Sequence, residues 1–131
     1  MPVKQLTVFL ENQTGRLAEV ARILRDSEIN LQGFSTTEAR DYGILRLVVS
    51  DTDRARQKLK EAGFTTHIAE AICIKVEDRP GELYKILDIL ANAKINIDYV
   101  YVIAGTRLVL SVGDIPKTED ILKKNNVVIC N

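Results

Sequence analysis

The stretch E-D-R-P-G-E-L at residues 77–83 is the most informative part of the sequence, because a related stretch, E-N-Q-T-G-R-L, occurs at residues 11–17. Both stretches begin with Glu, continue with Asn or Asp, and carry Gly and Leu at the same two positions. The glycines of the two stretches are Gly15 and Gly81. Matched segments of this kind indicate an internal repeat when other residues recur at the same interval.

The residues that follow each stretch support the repeat. Asn30 lies in Ile-Asn-Leu and Asn96 lies in Ile-Asn-Ile, and the interval between these asparagines equals the interval between the glycines. We therefore divide the chain into domain 1, residues 1–70, and domain 2, residues 71–131. No cluster of Pro, Gly or Ser separates the halves, so we expect them to pack as a rigid pair.

Hydrophobic periodicity predicts the same order of elements, β-α-β-β-α-β, in each half. Leu6, Val8 and Leu10 recur at every second position, as in a strand with one face toward a core. Apolar residues at helical spacing follow each matched stretch. Pro80 is predicted at the first helical position of the second copy, where its missing N–H costs nothing. Thr118 is the predicted cap of the last helix.

Size and charge limit the classes of function. Halves of about 65 residues are marginally stable alone, so we expect them to depend on each other or on a second chain, as in a homodimer. The 18 Lys and Arg balance the 18 Asp and Glu, so no net charge attracts nucleic acid or an anionic membrane. The apolar runs are too short to span a membrane, and the N-terminus lacks a signal-peptide pattern. We expect a cytoplasmic protein.

The two cysteines are too few for a disulfide scaffold. Cys73 and Cys130 are predicted on neighbouring antiparallel strands. Because a free Cys behaves as a small apolar core residue and the compartment is expected to be reducing, we predict free, buried thiols.

Each matched stretch predicts a polar loop in front of a helix. The first helical turn has N–H groups without an intrahelical partner and the positive end of the helix dipole, which together favour a carboxylate or phosphate. Gly15 and Gly81 lack a Cβ, so a ligand can approach the backbone closely. Asn12 can donate and accept hydrogen bonds, whereas ionised Asp78 only accepts and suits an ammonium group. The structural alternative is that these residues are caps and turn formers.

The full pattern is a strand, E-[ND]-x-[TP]-G-x-L, a helix, I-N-[LI] and a further strand, and it resembles the ACT domain over almost the whole chain. Thr14 departs from that pattern, because Pro is usual at its position. ACT domains are βαββαβ regulatory modules that bind small molecules, commonly amino acids. The resemblance implies an α+β fold of two ferredoxin-like repeats with antiparallel sheets, packed as a pair. It also implies a non-catalytic, allosteric protein that holds an amino acid at the interface between its repeats, without a cofactor or metal.

Family members that bind amino acids combine the loop and helix start of one domain with the strand-starting Asn region of its neighbour. Carried over to this chain, each loop faces the Asn region of the other copy. The resemblance therefore implies sixteen candidate ligand-binding residues, namely Asn12, Gln13, Thr14, Gly15, Arg16, Leu17, Asn30, Leu31, Asp78, Arg79, Pro80, Gly81, Glu82, Leu83, Asn96 and Ile97.

Catalytic and nucleic-acid-binding functions fit the sequence less well. His67 has no Cys or Ser motif near it, and one His with two distant Cys does not supply a zinc site. Acylphosphatases share the order of elements, but their basic phosphate-binding loop is missing here. RNA-recognition domains also share it, yet Tyr99 and Tyr101 lack a basic surround. We expect no enzymatic activity and no nucleic-acid partner.

The serious alternative is an interaction protein. It would be a regulatory subunit that docks on a metabolic enzyme without binding a small ligand. The sequence does not separate these two functions, and one chain can have both. Only the first of them requires a bound ligand.

Overall fold

The computed structural model describes residues 2–11, 13–38 and 41–130. The chain forms two compact units. The first unit is Lys4–Ala69, and the second contains the described part of residues 70–131 together with residues 2 and 3. Within the described ranges, no helix is both long and apolar enough to cross a membrane.

The first unit joins a sheet to helices in the predicted order. Its elements are β1 (Val3–Glu11), α1 (Arg16–Asp26), β2 (Leu31–Glu38), β3 (Tyr42–Val49), α2 (Thr52–Glu61) and the first part of β4 (Thr65–Lys75). The strands lie in the order β2-β3-β1-β4, and β3 pairs antiparallel with both β1 and β2.

The second unit repeats this arrangement. Its elements are the rest of β4, α3 (Glu82–Asn92), β5 (Ile97–Ile103), β6 (Arg107–Val112), α4 (Ile115–Lys124) and β7 (Ile129–Cys130). Strand β4 takes the place that β1 has in the first unit, and the order is β5-β6-β4-β7 with antiparallel pairing. The predicted α+β fold of two βαββαβ repeats with antiparallel sheets is therefore confirmed.

Each unit has its own hydrophobic core on one face of its sheet. Leu6 and Val8 of β1 are fully buried, and so are their counterparts Ile72 and Ile74 of β4. The helices close the cores with apolar residues at helical spacing. These residues are Val20, Ile23, Leu24, Ala55 and Leu59 in the first unit and Ile86, Leu90 and Leu122 in the second.

The repeat extends to the way in which each helix ends. After the last turn, one residue takes a left-handed conformation, and the next N–H bonds back to a carbonyl five residues earlier. The left-handed residues are Glu28, Gly63, Lys94 and Asn126. Glu28 and Lys94 keep the interval that separates Gly15 from Gly81, but the interval from Gly63 to Asn126 is shorter. The β5–β6 hairpin of the second repeat is therefore shorter than the β2–β3 hairpin of the first repeat.

Two predicted helix starts are wrong. Pro80 lies before the helix rather than at its first position, because the left-handed Gly81 is the N-cap and α3 begins at Glu82. The last helix begins at Ile115, and its cap is Asp114 instead of Thr118. Thr118 is fully buried inside the helix, where its hydroxyl donates to the carbonyl of Asp114 at 2.7 Å.

The prediction of free thiols is also wrong, because Cys73 and Cys130 form a disulfide. The two residues are direct partners in the antiparallel pairing of β4 with β7. Their Cα atoms lie 5.2 Å apart, within the range that a disulfide requires. The predicted burial holds for Cys73, which is fully buried, whereas Cys130 is half-buried.

Candidate functional site

The two matched loops have the same backbone hydrogen bonds. In the first loop, the N–H of Gln13 donates to the carbonyl of Glu11 at 2.7 Å, and the N–H of Glu19 donates to Gly15 at 2.9 Å. In the second loop, the equivalent bonds, from Arg79 to Glu77 and from Lys85 to Gly81, measure 2.9 and 3.0 Å. The sequence similarity therefore corresponds to one loop structure built twice.

The glycine of each loop is the N-cap of the helix that follows. Gly15 and Gly81 both have a φ of 88°, in the left-handed region that residues with a Cβ rarely adopt. A Cβ added at either position would meet no atom within 4 Å. The glycines are thus required by backbone conformation, and the space beside them is open.

The helices that start at these loops differ from the other helices in their caps. In α2 and α4, Asp51 and Asp114 accept a hydrogen bond from an N–H of the first turn, at 3.1 Å in each case. In α1 and α3, the N-cap glycine offers no side chain, and no side-chain hydrogen bond caps the helix. The first N–H of each helix, at Arg16 or Glu82, donates to the carbonyl of Gln13 or Arg79, at 3.4 and 3.3 Å. The next two N–H groups of each helix have no hydrogen-bond partner in the described part of the chain, so they remain available to another acceptor at the positive end of the helix dipole.

Charged side chains surround both helix starts. Arg79 forms ion pairs with Glu77 and, at 3.1 Å, with Glu82. Arg16, the counterpart of Glu82, pairs with Glu19 at 2.9 Å. Its guanidinium also lies over the ring of Phe64, 4.3 Å from the centroid. These residues are held by neighbours within their own unit.

A cavity of about 380 Å³ lies beside the loop of the second unit. Its lining comes from residues 76–79 of the loop, Leu83 of α3, Val102 of β5 and residues 106–108 at the start of β6. The N–H of Val76 donates to the carbonyl of Thr106 at 3.0 Å, which fixes the loop against the β5–β6 hairpin. Of the predicted site residues, Asp78, Arg79 and Leu83 meet in this cavity.

A smaller and wholly apolar cavity of about 180 Å³ lies in the first unit, between α1 and strands β2 and β3. It brings together Leu17 and Leu31, two further predicted site residues, with Phe34. Leu17 and Phe34 are 45% and 52% exposed, which is high for large apolar side chains.

The remaining predicted residues lie in several surroundings. Asn12 is outside the described residues, and Gln13 and Thr14 are exposed in the turn. The backbone N–H of Asn30 donates to the hydroxyl of Ser50 at 2.9 Å, so this N–H is not available to a ligand. The side-chain amide of Asn96 donates to Asp98 at 3.4 Å. Ile97 packs against the core of the second unit, and Pro80 is exposed.

The β5–β6 hairpin contributes residues to the cavity that were not predicted from the sequence. Thr106, Arg107 and Leu108 line the cavity although they lie far from the loop in the sequence. The available signal was the predicted order of elements, because the first and third strands of such a repeat pair with each other. That pairing places Arg107 opposite Lys75.

The described ranges contain no group of three or more His, Cys, Asp or Glu residues arranged to hold a metal ion. His67 is exposed on β4. Tyr99 and Tyr101 stack on each other, with ring centroids 6.3 Å apart, and both are half-buried.

The sequence and the fold both match known proteins. Protein BT0572 from Bacteroides thetaiotaomicron is 36% identical, with a TM-score of 0.93 over 99% of this chain and 92% of its own. The ligand-free regulatory subunit of aspartate kinase from Thermus thermophilus shares the fold at 14% identity, with a TM-score of 0.68 over 92% of this chain and 87% of its own. Aspartokinase III of E. coli, in complex with lysine and aspartate, is similar at 19% identity and a TM-score of 0.54, over 94% of this chain and 30% of its own.

A comparison with curated proteins found no match.

A family model for the ACT domain pair matches residues 1–131, the whole length of the chain. This match agrees with the two βαββαβ units and with the repeated loop at the start of α1 and α3. The chain belongs to the ACT domain pair family.

Proposed function

We propose that this protein is a non-catalytic regulatory protein that binds an amino acid at the loops in front of α1 and α3. Membership of a family of regulatory domains supports the regulatory role. Binding of the ligand would alter the protein's interaction with a metabolic enzyme. In amino-acid-binding family members a neighbouring domain completes each site, and for this chain that arrangement stays a prediction.

The observation that carries the proposal is the difference between the helix caps. Asp side chains cap α2 and α4, whereas glycines start α1 and α3 and leave their first-turn N–H groups without a side-chain partner. Because an uncapped helix start combines free donors with positive potential, it favours a ligand carboxylate. The same arrangement occurs in both repeats.

A thermal-shift screen of the full chain against the twenty amino acids tests the proposal. A ligand that binds only the folded state should raise the free energy of unfolding by about 2.7 kcal/mol at 100 times its Kd. We expect at least one amino acid to raise the melting temperature in a concentration-dependent way. A flat screen at millimolar concentrations would contradict the proposal.

A substitution in the first loop tests the proposed placement. Asn12 can bind either end of an amino acid, so Asn12→Ala should weaken binding by about 1–3 kcal/mol, the cost of an unpaired polar group. Unchanged far-UV circular dichroism and an unchanged melting temperature without ligand would show that the variant is folded. Calorimetric titration gives the Kd, and parent-like binding would move the ligand away from this loop.

Docking on a metabolic enzyme without a small ligand is the second candidate, and exposed apolar side chains favour it. Tyr84 on α3 is 71% exposed and Phe34 on β2 is 52% exposed. Strands β2 and β5 are outermost in the hydrogen-bonded order, and such edges can pair with another chain or with a second copy in a homodimer. A flat amino-acid screen, together with an enzyme whose activity changes on adding this protein, would favour this candidate.

A further inference from the structure

We propose that the cavity of the second unit binds an α-amino acid with an aliphatic side chain, with its ammonium group on Asp78 and its carboxylate shared between Arg107 and the free N–H groups at the start of α3. The inference rests on the proposed function, in which the ligand is an amino acid. It adds the class of the ligand side chain, the repeat that binds it, and a residue from the β5–β6 hairpin.

The charges that line the cavity divide into a paired set and an unpaired set. Arg79 and Glu77 of the lining form an ion pair, and Arg79 also pairs with Glu82, so these side chains are already engaged with one another. Asp78 and Arg107 also line the cavity, and neither forms an ion pair with any described residue. The cavity thus offers one available anion and one available cation, which complements the ammonium and carboxylate groups of a zwitterion.

The side chain of Arg107 is held in place by its own hairpin. Its Nε donates to the carbonyl of Ala104 at 2.7 Å, and the residue is half-buried. The Nη groups make no hydrogen bond with the described part of the chain, so they remain able to bind a carboxylate. A guanidinium that is already fixed loses less conformational entropy when it binds a planar anion.

Apart from Thr106, the rest of the lining is aliphatic and consists of Val76, Leu83, Val102 and Leu108. The hydroxyl of Thr106 donates to the carbonyl of Gly105 at 2.6 Å. Leu83 and Val102 are 47% and 65% exposed, so a ligand that covers them removes apolar surface from water. A charged or strongly polar ligand side chain would lose hydration against these residues without gaining a partner. The volume of about 380 Å³ lies near the lower limit for ligand cavities, which suits a small molecule.

The first repeat does not carry the same cation. In the strand pairing of the second repeat, Arg107 of β6 lies opposite Lys75 of β4. In the first repeat, Ile44 of β3 lies opposite Phe9 of β1, and Phe9 is the counterpart of Lys75. Ile44 therefore holds the position of Arg107. The two repeats differ in what they offer a carboxylate at this point of the hairpin, so we assign the aliphatic ligand to the second repeat.

Calorimetric titration of the full chain with leucine, isoleucine, valine, serine, glutamate and lysine tests the ligand class. We expect the three aliphatic amino acids to bind at least about tenfold more tightly than the others, since burying an unmatched polar group costs about 1–3 kcal/mol. Tightest binding of glutamate, lysine or serine would overturn the inference and leave the proposed function standing. No binding by any of the twenty amino acids would overturn both.

Ligand analogues and matched variants test the assigned contacts. Arg107→Gln and Asp78→Asn should each raise the Kd for leucine about tenfold or more, as expected on losing a hydrogen bond to a charged group. The control variants Arg56→Gln and Asp120→Asn make the same charge changes on exposed faces of α2 and α4 and should bind leucine like the parent.

The analogues separate direct contact from a general effect of charge. Leucinamide lacks the carboxylate, so it should bind the parent weakly, and Arg107→Gln should distinguish leucine from leucinamide less than the parent does. N-acetyl-leucine lacks the ammonium group, so it should bind the parent weakly. Asp78→Asn should bind leucine and N-acetyl-leucine alike. Parent-like binding of leucine by both variants, or an equal loss in the control variants, would overturn the inference.

Discussion

Gly15 and Gly81 show how one residue type can serve both the fold and the proposed site. Their φ of 88° determines how the chain enters α1 and α3, and the absence of a side chain leaves the helix start uncapped. The open space around them means that steric crowding is not the reason for glycine. A loss of binding in a variant such as Gly15→Val would therefore not locate the ligand, because backbone strain alone can disturb the loop.

We predict that Gly81→Ala lowers the free energy of unfolding by about 1 kcal/mol, because the left-handed region disfavours a residue with a Cβ. Gly113→Ala is the matched control, since Gly113 also has open space around it but lacks a positive φ. That control should be neutral or stabilising, because alanine restricts the unfolded chain. Urea denaturation measures both variants, and equal effects of the two substitutions would contradict the explanation.

At the scale of elements, the helices divide into a capped pair and an uncapped pair. Asp51 and Asp114 bind first-turn N–H groups in α2 and α4, and the helices at the loops lack such a bond. A cap stabilises a helix, so the protein forgoes that stabilisation at α1 and α3. A ligand carboxylate that occupies those N–H groups would restore it.

Removing either Asp cap should cost about 1 kcal/mol of stability. We predict that Asp51→Ala and Asp114→Ala each lower the midpoint of urea denaturation, because an N–H group of the first turn loses its acceptor. Asp120→Ala, on an exposed position inside α4, should be neutral or slightly stabilising because alanine favours the helix. An unchanged midpoint in both cap variants would show that the capping bonds are energetically unimportant.

A disulfide joins the short strand β7 to β4. Cys73 and Cys130 are separated by 57 residues, and the chain-entropy model assigns a crosslink of this span about 4 kcal/mol. We predict that dithiothreitol lowers the melting temperature of the parent. Cys130→Ser should melt near the reduced parent and should not respond to the reductant. An unchanged melting temperature, with two free thiols titrated, would show that the crosslink does not stabilise the fold.

At the scale of the whole molecule, β4 is the feature that links the repeats. It runs without a break from Thr65 to Lys75, across the division between the units at residues 69 and 70. The same strand therefore belongs to the sheets of both units. The connection between the repeats is therefore a strand, and rigid packing of the pair stays a prediction.

We predict a single cooperative unfolding transition, because unfolding of one unit would disrupt a strand that the other unit needs. In calorimetry, the measured enthalpy should equal the van't Hoff enthalpy. Hydrogen exchange adds a sharper test. The substitution Asp51→Ala in the first unit should lower the protection of backbone amides against exchange by a similar factor in both units. Two well-separated transitions without ligand would contradict this prediction.

The repeat, the order of elements and the position of the two loops could be predicted from the sequence alone. These features follow from local signals, namely hydrophobic periodicity and a glycine with its polar neighbours at a constant spacing. The sequence also indicated the family, because the matched loops carry its pattern. Helix starts were less certain, as Pro80 and Thr118 show, because several nearby residues can compete to cap one helix.

Contacts between residues that are distant in the sequence became known from the three-dimensional structure. The pairing of β4 with β6 brings Arg107 to the loop at Asp78, and the pairing of β4 with β7 places Cys130 beside Cys73. Strand register determines both contacts, and a shift of one residue would turn each side chain to the opposite face of the sheet. Register is set by the packing of the whole core and by hairpin length. The order of elements therefore placed Cys73 and Cys130 on neighbouring strands without showing that they are direct partners, and it did not reveal the position of Arg107.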